Sequence, residues 1–381
     1  MSATTTDRQT PADLLRWLSE IALPTFARLA VGNGTEGYVE FLSPDRTVSV
    51  RPDKSTLSTA RLIYCFSHAA VLDPAGPGLS AASHGLDFLR RRLANPAGGF
   101  YRSVGSDGTP LDGSNDLGDL AFVLFACGWY HRASGDASAL SLAETTMAFL
   151  ESRMRAPNGG FLDDDKGSPT RRQNPHMHLL EACHVLAEQA GETAASPGRW
   201  LDRANALVAL LKGHFLDTDT GALFEQFDTD WRPLPNAPLE PGSHFEWVWT
   251  LTRHCRLTGD SSVLPIADRL YRFALTHGLD HDPAKPCLAF DAIDAAGRPL
   301  AATKLLWPQT EAIKAFAVRA AWDQDAARRL SAMLELLFSL YVDATTGLFH
   351  NQLERDGTPR AVAMPLRVLY HLELALVEAA A

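Results

Sequence analysis

The stretch from Glu240 to Leu251, EPGSHFEWVWTL, places an imidazole, a carboxylate and two indoles directly behind a turn-making Pro-Gly. Ser243 stands where a helix N-cap belongs, so His244, Glu246, Trp247 and Trp249 fall in the first helical turns. Each polar group at the mouth of a core helix must be desolvated and then matched, which a purely structural helix seldom tolerates. A sugar site uses all of them. Carboxylates bind hydroxyls, indole faces cover a pyranose, and an imidazole moves protons near pH 7.

Comparable groups stand at other places in the chain. Asn174, His178 and Glu181, spaced four and three apart, form one strip of a helix face. His176 and His178 have the H-x-H spacing of a metal pair, but on a helix they diverge by about 200° and share an ion poorly, so no metal is expected. His371 follows Tyr370 between Leu369 and Leu372, an apolar setting that suits a neutral imidazole to proton transfer. Glu246 and Glu311 could bind hydroxyls, orient a histidine or act as an acid. Trp247, Trp249 and Trp307 are candidates for stacking on a sugar or for core packing. Arg61 is either a fixed cation for a substrate oxygen or half of a salt bridge.

The elements that must position these residues follow from a repeat. Six Gly-aromatic segments begin at Gly37, Gly98, Gly159, Gly221, Cys287 and Gly347, about 60 residues apart, the signature of a repeated supersecondary unit. Each alternates apolar and polar residues around an Asp-rich turn and reads as a small β-hairpin. Between them the apolar spacing becomes i, i+3, i+4, i+7, which predicts helices near 11–30, 55–71, 81–95, 116–134, 138–154, 174–191, 197–213, 242–257, 261–277, 305–321, 325–341 and 362–379. Helix pairs closed into a ring give an all-α (α/α)6 barrel of about twelve helices with short hairpins at one end, against an open solenoid as the alternative. If the helices that follow the hairpins form the inner ring, their N-terminal turns converge on one mouth. Arg61, Tyr64, Asn115, Asp116, Asp119, Asn174, His176, His178, Glu181, Ser243, His244, Glu246, Lys304, Trp307, Gln309, Glu311, Tyr370 and His371 collect there, as a pocket requires.

The chain of 381 residues is 46% hydrophobic, enough for a large core, and the repeat argues for a single domain over 1–381. A formal charge of −10 with scattered Lys and Arg disfavours nucleic acid and anionic membrane as partners. Five cysteines without a C-x-x-C, four of them in helical apolar patterns, read as buried thiols of a reducing compartment. The N-terminus lacks an apolar signal core and no apolar run is long enough to span a bilayer, so a cytoplasmic location is expected.

The segments RLIYCFSHA from Arg61, NPHMHLLEA from Asn174, EPGSHFEWVW from Glu240, KLLWPQTEAIKA from Lys304 and YHL from Tyr370 together resemble the N-acylglucosamine 2-epimerase superfamily, in its mannose isomerase-like branch. The resemblance spans all six repeats. It implies an α/α six-barrel, no metal or other cofactor, and interconversion of an aldose with its ketose or C2 epimer through a cis-enediol. It further implies that His371 is an acid/base, that Arg61, Asn174, His178, Glu181, Trp307 and Glu311 surround the sugar, and that Glu246 supports the site.

Three departures bear on the chemistry. The family pattern P-G-H-x-x-E-W has Ser243 in place of its histidine, with His244 one helical step of about 100° away. Gly118 stands where relatives carry a tyrosine, and Leu366 and Arg367 replace small or hydroxylated residues. With one acid/base changed, one-base isomerisation of a mannose/fructose-like pair, or of a modified sugar, is the expected activity, with His371 as base and His178 and Glu246 orienting the substrate. Ser243, His244 and Trp247 are expected to contribute to binding. The alternatives are 2-epimerisation, glycoside hydrolysis by a pair drawn from Asp116, Glu181, Glu246 and Glu311, and a silent sugar binder; the chain is also compatible with a homodimer.

Overall fold

The computed structural model describes residues 10–32, 36–48 and 53–381; the N-terminal stretch 1–9, read above as lacking a signal core, lies outside them. Among the described residues the chain forms twelve helices in six pairs. The second helix of each pair is buried on nearly every side: α2 (Thr56–Leu72), α4 (Leu117–Ser134), α6 (Gln173–Gln189), α8 (Pro241–Thr258), α10 (Leu306–Ala320) and α12 (Leu369–Ala380). α4 shows why. Its sequence LAFVLFACGWY is apolar all round, which is stable only for a helix with neighbours on all faces.

The first helices of the pairs form the outer layer: α1 (11–31), α3 (78–93), α5 (137–154), α7 (199–215), α9 (264–278) and α11 (324–341). They are amphipathic and bury one face. α7, for example, buries Trp200, Leu201, Ala204, Leu207 and Val208 while Asp202 and Arg203 lie on the other side. All six contain a five-residue π turn, from Leu18–Ala22 in α1 to Leu337–Tyr341 in α11. So regular a recurrence marks a device of the repeat.

Each inner helix packs on the next, and α12 returns to α2. The ring is therefore closed, and the open solenoid is excluded. In the order α2, α4, α6, α8, α10, α12, helix α2 faces α8, and α6 faces α12.

Among the described residues the expected hairpins form in five of the six Gly-aromatic segments, those from Gly37, Gly221 and Gly347 closed by the single antiparallel bridges Leu42–Val48, Phe227–Pro233 and Leu353–Pro359. β3 (Ser103–Val104) and β4 (Pro110–Asp112) form one hairpin, and β7 (Ala292–Ile293) and β8 (Pro299–Ala301) another. The other pairings join neighbouring repeats: β2 (Lys54–Ser55) with β3, β5 (Arg171–Arg172) with β6 (Gln226–Phe227), and β9 (Lys304–Leu305) with β10 (Gln352–Leu353). β1 (Phe41–Leu42) pairs with β11 (Met364–Pro365), linking the first repeat to the last. That pairing explains the one large boundary error. Residues 362–368 are a strand and a 3-10 turn rather than helix, because Pro365 suits neither a helix interior nor its hydrogen bonds.

Three cysteines are buried as expected. Cys255 is half-buried, and Cys287 is exposed because it lies in a loop rather than on a helix.

Candidate active site

The N-terminal turns of the inner helices do two jobs, and the structure separates them. The first is to tie down the loop after each outer helix. Asn115 Oδ1 accepts the Phe100 N–H at 2.7 Å, His176 Nε2 that of Phe161 at 3.0 Å, His244 Nε2 that of Leu223 at 2.9 Å, and Gln309 Oε1 that of Ala289 at 2.7 Å. The two histidines also donate Nδ1–H to a carbonyl four residues back, Arg172 and Glu240, at 2.9 and 3.0 Å. Both ring nitrogens are thereby used, and burial pushes both imidazoles down to about 4. His244 is therefore a neutral clamp against Phe273, and not the substrate contact expected of it.

The second job belongs to residues two positions further on. His178, Glu246 and Glu311 each follow a clamp by two, and all three are buried. A cavity of about 340 Å³ opens over them, lined by Arg61, Asn174, His178, Glu246, Trp307 and His371 among the expected residues. That volume lies in the range of small-molecule pockets, about 300–1,000 Å³. Glu240, Leu305, Asn351, Pro365, Arg367 and Val368 complete the wall.

Two imidazoles in this wall are each held by a buried carboxylate. His371 donates Nδ1–H to Glu311 Oε1 at 2.7 Å, and His178 donates Nδ1–H to Glu181 Oε2 at 2.6 Å. Glu181 also accepts the Tyr370 hydroxyl on both oxygens at 2.9 Å. Glu181 and Glu311 thus stand behind the histidines rather than in the lining. Fixing Nδ1 as the donor leaves Nε2 of each ring as a base. Burial, reinforced by the charges of Arg61, Lys314, His178 and Arg367, holds His371 well below the ordinary histidine value, so it is neutral at pH 7.

Between the two dyads lies a buried charge cluster. Lys314 is paired with Glu311 at 2.5 Å, faces Glu246 at 3.6 Å and lies over the Trp249 ring at 4.3 Å. Burial opposes its charge, but Glu311, Glu246 and Glu181 outweigh that and raise its pKa. Neither oxygen of Glu246 has a hydrogen-bond partner among the described residues. Burial and then the charge of Glu311 push Glu246 up to about 8, which makes it a carboxylic acid at neutral pH. Burial likewise raises Glu311, to about 7, against the pull of Lys314. Burial works to raise Glu181 too, but the His178 hydrogen bond and charge, with Lys314 and Tyr370, bring it below the usual value.

Two triads have donor atoms close enough for a cation, His178–Glu181–Glu246 and Glu246–Glu311–His371, within 4.8 Å. The donor chemistry argues against one. Both Nδ1 atoms are committed to carboxylates, and the Lys314 ammonium already occupies the charge-neutralising position between Glu246 and Glu311.

The remaining expected residues sit elsewhere. Trp247 is fully buried and donates its indole N–H to Gln173 Oε1 at 2.7 Å, so it is core. Ser243 is fully buried in the first turn of α8, whose N-cap is Glu240 with Pro241 at N1; it neither caps the helix nor lines the cavity. Asp116 caps α4 through Gly118 N–H at 2.8 Å and pairs with Arg172 at 2.9 Å. Lys314 and Asn351 were not assigned to the site, and Arg367 was named only as a departure in its expected wall. Lys314 was legible as the residue one turn after Glu311, on its face of the helix; Asn351 arrives from the last Gly-aromatic segment.

Trp307 reaches the wall because of Gly242. A Cβ there would lie 2.3 Å from the Trp307 ring, so only glycine allows the indole to pack across the start of α8, 5.8 Å from the His371 ring. Gly242→Ala should cost about 1–3 kcal/mol and move the indole. Thermal unfolding and a crystal structure of the variant check this; an unmoved Trp307 would contradict it.

A family model described as N-acylglucosamine 2-epimerase matches residues 37–375. The chain is 31% identical over 384 residues to a protein named mannose-6-phosphate isomerase from Rhizobium meliloti (strain 1021), covering 96% of this chain and 95% of that one. It is 22% identical to a cellobiose 2-epimerase from Eubacterium cellulosolvens, over 85% and 86% of the two chains. A crystal structure of D-mannose isomerase superposes with a TM-score of 0.87 at 21% identity, covering 99% of each chain.

Proposed function

The chain belongs to the N-acylglucosamine 2-epimerase family, and from that premise we propose that it interconverts an aldose and its ketose by enediol proton transfer. One observation carries the proposal. Two imidazoles line one cavity, each with Nδ1 tied to a buried carboxylate, which leaves Nε2 for the substrate. His371 Nε2 removes the C2 proton, the electron pair forms the C1=C2 enediol, and the carbonyl oxygen takes a proton from neutral Glu246. The O2–H proton then returns to Glu246 while His371 delivers its proton to C1, giving the ketose. Arg61, Asn174 and Trp307 hold the sugar, and His178 orients it.

The opposition of α6 and α12 across the ring favours a second reading. His178 and His371 approach the cavity from opposite helices, so His178 could return the proton to the other enediol face and epimerise C2. Hydrolysis has less support. Glu181 and Glu311 are engaged by histidine, tyrosine or lysine, and Asp116 by Arg172, which leaves Glu246 without a partner among the four carboxylates expected to supply the pair.

We further place the protein in the cytoplasm, as one catalytic barrel acting on a small sugar without metal or organic cofactor. No helix of the described residues is long and apolar enough to cross a membrane; what supports the reading is that the cysteines are free and that one family model covers residues 37–375.

The test is incubation of chelator-treated protein with mannose, fructose and glucose in D₂O, following C1 and C2 by NMR. Exchange with ketose formation supports one-base isomerisation; aldose interconversion without ketose supports the second reading. Saturable binding without exchange would mean a silent binder.

Glu246 sets a pH limit. The reaction uses its protonated form, so kcat should fall as pH rises above about 8, and Glu246→Gln should lose that alkaline limb along with about 10²-fold in kcat. An unchanged limb in the variant rules Glu246 out as the acid. Because the folded state holds a proton that the unfolded chain releases between about 4.5 and 8, Glu246 also lowers stability as pH rises through that window.

A further inference from the structure

Two arginines in the cavity wall lack the carboxylate partners that several other half-buried arginines have. Arg132, Arg172, Arg203, Arg253 and Arg319 all sit in ion pairs. Arg61, on the second turn of α2, and Arg367, in the Leu366–Val368 turn before α12, have no carboxylate within 4.0 Å among the described residues. Arg61 lies over the rings of Phe122 and Tyr370 at 4.2 and 5.2 Å, and its Nε is buried without a hydrogen-bond partner. Arg367 touches only the edge of cation–π range, 5.8 Å from the Phe41 ring. Burial, and then the nearby Arg367 charge, work against the charge of Arg61.

A guanidinium stays charged under all physiological conditions, so two of them facing one cavity leave a positive wall that needs a counter-charge. The lining supplies none in contact with them: Glu246, and Glu181 behind the lining, act on Arg61 only from beyond 4.0 Å. Its carboxyl groups, Glu240 and Glu246, enter from α8, which faces α2 across the ring. Both are raised, by burial first, to about 7 and about 8, so at neutral pH Glu246 is mostly protonated and Glu240 only partly charged. The cavity is thus polarised, cationic along α2 and the turn before α12, and hydrogen-bonding along α8. Arg367 is half-buried at the rim, whereas His371, one turn later, is 5% exposed.

We propose that Arg367 and Arg61 form an anion-binding wall, and that the substrate is a sugar bearing a phosphate ester, carboxylate or sulfonate at the end away from its C1–C2 bond. This rests on the isomerase reading for where C1 and C2 lie. The reacting end goes in toward His371, and the anionic group remains at the rim, where planar forked donors bind oxyanions in bidentate fashion.

The experiment compares mannose with mannose 6-phosphate and mannuronate, as kcat/KM and as C2-proton exchange, in the wild type and in Arg367→Gln and Arg367→Lys. Calorimetry with mannitol 6-phosphate against mannitol measures binding without turnover. The wild type should favour an anionic probe over its neutral counterpart by at least about 10²-fold. Arg367→Gln should reduce that ratio at least tenfold, and Arg367→Lys should restore part of it, since lysine keeps the charge and loses the fork. Turnover of mannose with no preference for either anionic probe, or a preference that Arg367→Gln leaves intact, overturns the anion wall and leaves the isomerase reading standing. Binding of mannitol 6-phosphate that depends on Arg367, with no proton exchange on any sugar, does the reverse.

Discussion

His371→Ala should lower turnover by about 10²- to 10⁴-fold, the usual loss on removing a general acid/base. His371 combines a cavity-facing position with an Nδ1 fixed by Glu311, so its Nε2 is a base with no competing partner. The variant leaves Glu311 one donor short but still paired with Lys314, and its stability should fall by only about 1–3 kcal/mol. Thermal unfolding separates the two effects. Added imidazole should restore part of the activity by occupying the vacated space. Full activity in the folded variant would overturn the assignment of His371 as base. Glu311→Gln gives an independent check: the amide can donate to Nδ1 and so promote the wrong tautomer, which should lower kcat more than it raises KM.

The largest effect on stability is expected at Lys314. It is fully buried between Glu311 at 2.5 Å and Glu246 at 3.6 Å, and its removal leaves two carboxyl groups without a cation in a dry wall. Breaking such a buried set by deleting one partner costs about 3–5 kcal/mol, more than a surface pair contributes. Lys314→Met should therefore lower the unfolding midpoint strongly. The loss should grow with pH. Without the ammonium both carboxyl groups bind protons more tightly in the folded state, while the unfolded chain releases them near their ordinary values, so folding loses stability as pH rises. Unfolding at pH 5 and pH 8 checks this, and an equal loss at both would contradict it. A second substitution, Glu311→Gln, should recover part of the loss, because the two residues act as one unit.

Much of the architecture was legible from the chain. The Gly-aromatic repeat of about 60 residues and the 3.6-residue periodicity placed eleven of the twelve helices within a few residues, because both report local backbone preference and one-sided burial. The exception is the last helix. Its supposed first turns are a strand because they pair with Phe41–Leu42, more than 300 residues away, and no local signal encodes that partner. The same reason accounts for the strand pairings between neighbouring repeats, which form beside the expected hairpins.

The site divides along the same line. His178, Glu246 and Glu311 were recognisable as polar residues at the starts of core helices, and the three segments HMH, HFE and QTE, aligned as repeats, carry the distinction between clamp and cavity residue. Read singly, His244 looked like a substrate ligand. Only the packing of its helix against the Leu223 loop showed both nitrogens used by the backbone. Sequence by itself determined the six-fold repeat, the inner and outer helices, and the end of the barrel at which polar residues gather, because each depends on which residues prefer burial and at what spacing. The tertiary structure decided which of those polar residues face the cavity, which histidine nitrogen is free, and that Arg61 and Arg367 share a wall without a counter-charge. Those properties depend on distances between groups from different repeats, which burial preference and spacing along one chain do not specify.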